Sequence, residues 1–403
     1  MRRHVASRGI VLVGLLLLSL CGCRSSGVKE AAHQVGSRSP WPMMRHDAAR
    51  TGRSPFLGPA RPRVVWTLRL GGLGVASPVV GRNGVVFNTR AMADVYGRSE
   101  FRPPRPGRLF AVSKRGRLLW SVAAGEVATV AVPPPPAQAA DGSVYLGCED
   151  GKLYAFEPNG KKKWAFDTGD PITSSPCLVN DDVIYVGNRA GRVYALNRNG
   201  TARWSFAANG PVLESIAVAR DGTACFGSEY GGLYALTWAG RQKWRLRWLW
   251  IAPAIGADGS IFGTLPAEFI ALDRNGRVKR RLHVDSFTGP PALAGDGTVY
   301  FGTDHDGIYA VAPGGKVKWR FHVNGPANAS PAIDRRGTVY VASAGERWAG
   351  RQVRETRLYA IRPDGSQAWS LKTDAPAFSP VVGGNGVLYF GTADGKLHAV
   401  GER

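Results

Sequence analysis

The sequence predicts an all-β fold: an eight-bladed β-propeller of four-stranded antiparallel blades, closed by the N-terminal strand. Three observations predict it. A marker of Ala, Gly and Trp recurs at fixed internal spacing; short alternating segments bounded by turn residues surround each marker; and the two chain ends carry incomplete fragments that complement each other.

The stretch from Gly289 to Val323 is the most regular copy. Pro291 to Ala294 is a short apolar run, and Asp296-Gly297 supplies the residue types of a tight hairpin. Thr298 to Thr303 alternates around aromatic and β-branched residues, Asp306-Gly307 turns again, and Ile308 to Ala312 returns. After Gly314-Gly315, the run Lys316 to Val323 places an apolar residue at every second position with basic residues between. Period-two alternation puts one face of such a strand against protein and the other in water.

Ala310, Gly315 and Trp319 are the marker of this unit. It recurs as Ala111-Gly116-Trp120, Ala155-Gly160-Trp164, Ala195-Gly200-Trp204, Ala235-Gly240-Trp244 and Ala360-Gly365-Trp369, with a degenerate copy, Ala271-Gly276-Arg280. Pro380 to Val400 then supplies three strands of a further unit, and Val64 to Leu68, around Trp66, supplies a fourth strand with no unit before it. Pairing the first strand with the last three makes an eighth blade and leaves no open seam. Glycine is expected to allow the turn into the outer strand, and alanine to leave room where neighbouring sheets approach. Each tryptophan (Trp66, Trp120, Trp164, Trp204, Trp244, Trp319, Trp369) is expected to dock on a neighbouring blade through its apolar surface and its N–H.

Ahead of the repeats, Arg2, Arg3 and Arg8 precede an apolar run from Gly9 to Leu20 that is too short to span a bilayer, which needs about 20 residues. This is signal-peptide anatomy. Leu20-Cys21-Gly22-Cys23 resembles a bacterial lipobox, which implies cleavage before Cys23 and lipidation of its thiol; an ordinary secretory signal is the alternative. Arg24 follows the lipidation site, and by resemblance to sorting in Gram-negative bacteria this permits the outer membrane, with the protein facing the periplasm. The expected organisation is thus a signal peptide over 1–22, a tether and docking segment over 23–62, and the propeller over 63–403. Within the tether, Trp41 to Asp47 and Thr51-Gly52 are too specific for a plain linker, and Trp41 is expected to fill a groove on the folded body.

The chain of 403 residues is rich in glycine (52) and proline (27) and carries a formal charge of +22. The basic residues are spread through the repeats and form no block, which fits a solvated rim better than a nucleic-acid surface. Cys148, Cys177 and Cys225 sit alone in separate strands and read as small buried residues, since their spacing makes neither a disulfide framework nor a ligand set.

The repeat, as in Glu149 to Phe156 followed by Gly160-Lys161 and Trp164, resembles the pyrroloquinoline-quinone-type propeller repeat with its tryptophan-docking motif, over about Trp41 to Val400. That superfamily includes quinoprotein dehydrogenases, which bind the quinone and calcium on the axis, and non-catalytic relatives, among them the lipid-anchored propeller of the outer-membrane barrel-assembly machinery. The dehydrogenases typically place a pair of adjacent cysteines over the quinone; no such pair occurs here, and none of their calcium ligands matches a position in this chain. The resemblance therefore implies a protein-binding scaffold of the envelope, expected to be monomeric and without cofactor. A quinone- and calcium-dependent oxidoreductase and a binder of an anionic envelope polymer are the alternatives.

Function is sought where blades depart from the pattern. Two insertions between second and third strands carry arginines beside aromatics: Arg98, Phe101, Arg102 and Arg105 in the first blade, and Arg347, Trp348, Arg351 and Arg354 in the seventh. Both are expected on one face as a partner-binding surface. In the fifth blade, Arg280 replaces tryptophan and an unusual stretch precedes the inner strand, so Trp248, Trp250 and Glu214 are candidates for an axial pocket. The histidines show no metal-ligand spacing, and no nucleophile elbow or phosphate loop is present.

Overall fold

The computed structural model describes residues 39–403 apart from 71–74, 82–83, 91–106, 126–133, 250, 285, 287, 306, 324, 328, 344–354 and 403. Among the described residues the regular structure is all strand, in eight four-stranded antiparallel sheets. Burial follows the sequence pattern. Strands that run continuously apolar, such as Val183–Gly187, are buried throughout, whereas outer strands with period-two alternation, such as Lys162–Asp167, alternate exposed and half-buried residues.

The blades follow chain order: 79–124, 137–167, 177–207, 217–246, 254–283, 292–321 and 332–373 are blades one to seven. Blade eight joins the strands Val381–Val382, Leu388–Gly391 and Lys396–Glu402 to Pro62–Arg69, which pairs antiparallel with the last of them. The ring therefore closes through the N-terminal strand. The two insertions join the second and third strands of blades one and seven, and lie outside the described residues except at their ends.

Strand register gives the marker residues their roles. In blade two, Ala137 pairs with Tyr145, Tyr145 with Ala155, and Ala155 with Trp164. The same row runs through blade six as Ala292, Tyr300, Ala310 and Trp319. The third-strand alanine is small enough for the rings on either side to meet above it: Tyr145 and Trp164 centroids are 5.8 Å apart, Tyr185 and Trp204 5.5 Å, and Tyr300 and Trp319 5.5 Å. Alanine thus makes room within its own blade, where the sequence reading had placed the crowding between sheets.

Each outer-strand tryptophan then reaches across to the next blade. Trp66 Nε1 donates to Lys114 O at 2.9 Å, Trp120 to Pro158 O at 2.9 Å, Trp164 to Arg198 O at 2.9 Å, Trp204 to Trp238 O at 2.8 Å, Trp244 to Arg274 O at 3.1 Å and Trp319 to Pro363 O at 2.8 Å. Trp369 completes the circle on Pro59 O at 2.8 Å, a carbonyl of the segment entering the closing strand. The marker glycine is where the neighbour's ring lands. Gly240 has a φ of +78°, and a β-carbon there would lie 2.5 Å from the Trp204 ring, so both the backbone angle and the close approach require glycine. Arg280 is no defect in this circle. Its Nε donates to Gly314 O at 3.1 Å, and its aliphatic stem lies over Gly315 as the indoles lie over the other marker glycines.

Candidate functional site

A propeller's inner strands face the axis with one edge unpaired, and those backbone groups need partners. Residues 41–54 supply them by circling the axis. Trp41 exchanges hydrogen bonds with Val80 of blade one, and Pro42 O accepts from Gln138 N of blade two at 2.7 Å. Ala48 O accepts from Val218 N of blade four at 2.7 Å, Ala49 O from Ile255 N of blade five at 2.9 Å, Thr51 O from Leu293 N of blade six at 2.7 Å, and Gly52 O from Ile333 N of blade seven at 2.8 Å. At blade three the Cys177 thiol lies 3.7 Å from Ala48 O. Trp41 is buried against this ring.

Two arginines of this segment fill the centre. Arg50 is fully buried. Its Nε donates to Ile216 O at 3.0 Å, Nη1 to Met44 O at 2.6 Å, and Nη2 to Ser175 O and Pro176 O at 3.2 Å each. Carbonyls at the entries to the inner strands thus form a partly negative collar that accepts a cation. Arg45, also buried, donates from Nη2 to Pro253 O at 3.1 Å, while its Nε and Nη1 have no protein acceptor. Burial, with Arg50 nearby, lowers the Arg45 guanidinium to about 9. Burial alone would raise the Asp47 carboxyl, but hydrogen bonds with His46 and Thr51 outweigh it and hold the group below its ordinary value.

Glu214 faces this centre: burial raises its carboxyl, and the Arg45 charge partly offsets that. Trp248 does not join it. The Trp248 ring is half exposed and lies 4.5 Å from the guanidinium of Arg281, which sits on the outer strand of blade five and bonds Glu268 through Nη1 at 3.1 and 3.0 Å. Of the residues expected to line an axial pocket, Glu214 lies within reach of the Arg45 charge, and Trp248 packs on Arg281 of the blade-five outer strand. Trp250 lies outside the described residues, as do Cys23 and the insertion residues Arg98, Phe101, Arg102, Arg105, Arg347, Trp348, Arg351 and Arg354.

The axial cavity between Trp41, Met44, Arg45, Ser77, Ser330 and Ser379 measures about 10 Å³, the space of one water. Among the described residues no group of His, Cys, Asp and Glu side chains could hold a metal ion.

A second feature lies on the rim. Every outer strand carries a one-residue irregularity just before its tryptophan, or before Arg280 in blade five. In most blades the extra residue is basic and reaches the turn between first and second strands. Lys163 Nζ donates to Ser143 Oγ at 3.0 Å, Lys243 to Thr223 Oγ1 at 2.8 Å and Lys318 to Thr298 Oγ1 at 3.2 Å, with Asp141, Asp221 and Asp296 beside them. Arg203 pairs with Asp182 at 2.5 Å. In blades seven, eight and one the residue is apolar, Ala368, Val65 or Leu119, and the turn sequence has Arg336, Asn385 or Asn83 where blades two to six have aspartate. Val64, Val65, Leu118 and Leu119 are 48, 48, 46 and 50% exposed. Trp66, lying on Gly116, connects the two pairs. This patch is at the end of the blades opposite the insertions, since turns between first and second strands and loops between second and third lie at opposite ends. Sequence reasoning missed it, although aligning the position before each marker residue would have found three apolar residues, two of them large, among basic ones.

The model of the family described as outer membrane protein assembly factor BamB matches residues 56–165, 149–286 and 269–403. No curated protein matches the chain at a significant level. Among solved structures, the quinohemoprotein alcohol dehydrogenase from Comamonas testosteroni aligns with a TM-score of 0.69 at 15% identity, over 91% of this chain and 81% of that one. A europium-containing methanol dehydrogenase aligns with a TM-score of 0.65 at 14% identity, over 90% of this chain and 98% of that one. BamB from Moraxella catarrhalis aligns with a TM-score of 0.57 at 18% identity, over 84% and 97%. At these identities the likenesses establish the fold.

Proposed function

The chain belongs to the family of outer membrane protein assembly factor BamB, and from that premise we propose that it is a non-catalytic, lipid-anchored propeller that binds other envelope proteins as a scaffold in outer-membrane protein assembly. In this reading Cys23 carries the lipid, the body faces the periplasm as a monomer, and no quinone or calcium is used.

One observation carries the reading: the apolar rim of blades eight and one, where Val64, Val65, Leu118 and Leu119 are about half exposed, with Val65 and Leu119 at the position that blades two to six give to a basic residue. Solvated rims gain nothing from exposed aliphatic side chains, whereas covering the exposed half of four of them contributes about 3–6 kcal/mol to an interface. The arginine- and aromatic-bearing insertions of blades one and seven are proposed as a separate contact at the other end.

The test is a crosslinking pull-down from membranes of the native envelope. It compares wild type, the double substitution Val65→Lys with Leu119→Lys, and a variant lacking both insertions. Loss of a specific partner in the double substitution, at least tenfold, is the expected result; the same partners at the same yield in all three would sink the assignment. Gain of quinone absorbance together with dye reduction, after incubation with quinone and calcium, would overturn the non-catalytic part.

A further inference from the structure

The second-strand position that pairs with the marker alanine holds an aromatic ring in seven blades: Phe87, Tyr145, Tyr185, Phe262, Tyr300, Tyr340 and Tyr389. In blade four it holds Cys225, opposite Ala235, which in turn pairs with Trp244. Where the missing ring would lie there is a cavity of about 130 Å³ between blades four and five, open to solvent at one side. Cys225, Ile255 and Ile261, only 1–2% exposed, form its floor, with Ala219 and Ala257 beside them; Asp221, Asp258 and Arg274 stand at its mouth. A space of about 150 Å³ is enough for a benzene-sized ring.

The polar groups at this mouth have counterparts around a real phenol in blade two. There the Tyr145 hydroxyl lies within electrostatic reach of Arg198, Asp141 and Asp181. Arg198 offers its carbonyl to Trp164 just as Arg274 offers its carbonyl to Trp244. Asp141 and Asp221 occupy the same turn position of their own blades, each orienting the residue two positions on through a backbone bond at 2.9 Å. Blade four thus keeps the hydroxyl's surroundings and lacks the ring. Burial pushes the Cys225 thiol up to about 12, so it is neutral and unreactive at the cavity floor.

We propose that the cavity between blades four and five is a binding site for a phenol ring, with Cys225, Ile255 and Ile261 against the ring and Arg274, Asp221 and Asp258 around the hydroxyl. The site is distinct from the axial segment and from the apolar rim of blades eight and one.

p-Cresol, the side-chain analogue of tyrosine, is the probe. It should bind the mature wild-type chain saturably, with a Kd on the order of 0.1–1 mM for so small a ligand, and toluene about tenfold more weakly. Cys225→Tyr should abolish binding by filling the socket and should raise the melting temperature. Cys225→Phe, which fills the ring volume alone, serves if the tyrosine variant does not fold and should also abolish binding. A crystal soaked in p-cresol should show the ring between blades four and five. N-acetyltyrosinamide separates two sources of the same chemistry: binding as tight as p-cresol marks a partner's tyrosine, and binding of p-cresol alone marks a free phenol. No saturable binding of p-cresol up to 5 mM, binding unchanged in Cys225→Phe, or toluene as tight as p-cresol would each overturn the proposal.

Discussion

At the scale of single residues, the axis depends on charges held by backbone. Among the described residues no carboxylate forms a salt bridge with Arg50; four carbonyls, from the axial segment and from the entries to blades three and four, accept its hydrogen bonds. Arg50→Met keeps volume but leaves those carbonyls buried and unsatisfied, so it should cost about 3–5 kcal/mol. The readout is a lower urea midpoint together with new protease cleavage within residues 41–58. Glu214 acts in the other sense. Its carboxyl is raised from 4.5 by burial, so the fold favours the neutral acid; that contribution is present below about pH 4.5 and is lost as pH rises through the raised folded value. Glu214→Gln should therefore melt with wild type at pH 4 and above it at pH 7. A variant that melts lower at both would mean that attraction to Arg45 outweighs the burial cost.

At the scale of elements, the outer strand is the unit that joins blades, and its tryptophan is one solution among others. Arg280 shows this, since its Nε–H and methylene stem replace the indole N–H and ring on Gly314 and Gly315. Arginine covers less apolar surface than tryptophan, so Arg280→Trp should stabilise by about 1 kcal/mol, and Arg280→Ala should lose about 1 kcal/mol with the hydrogen bond. Denaturant midpoints of the two variants should fall on opposite sides of wild type.

At the scale of the whole molecule, two N-terminal elements close the ring in different places. Residues 41–54 pair with inner strands at the axis, and Pro62–Arg69 pairs with the last strand at the rim. A chain beginning at residue 60 keeps the rim closure and should remain monodisperse while melting at a lower temperature. A chain beginning at residue 71 exposes the edge of Lys396–Glu402 and should self-associate, as light scattering would detect. Equal behaviour of the two truncations would mean that the closing strand protects no edge.

The sequence by itself determined the blade count, the order of strands and the closing pair, because these follow from local periodicity: an alanine, a glycine and a tryptophan at constant spacing need only their own blade and its neighbour. It also marked Trp41 to Gly52 as specific. It did not say that Arg45 and Arg50 of that stretch fill the axis, since their acceptors are carbonyls at residues 253, 216, 175 and 176, which no side-chain pattern announces. The sequence groups Glu214 and Trp248 because both lie in loops that enter inner strands, and only the tertiary structure sets the Trp248 ring on Arg281 and Glu214 near Arg45. The same holds for the apolar rim and for the empty place beside Cys225. Val65 and Leu119 lie 54 residues apart in sequence, and a missing ring becomes a cavity only when the wall of the next blade stands opposite it. Repetition is local chemistry and can be read along the chain; where the repeat breaks, the consequence depends on what the ring brings against the break.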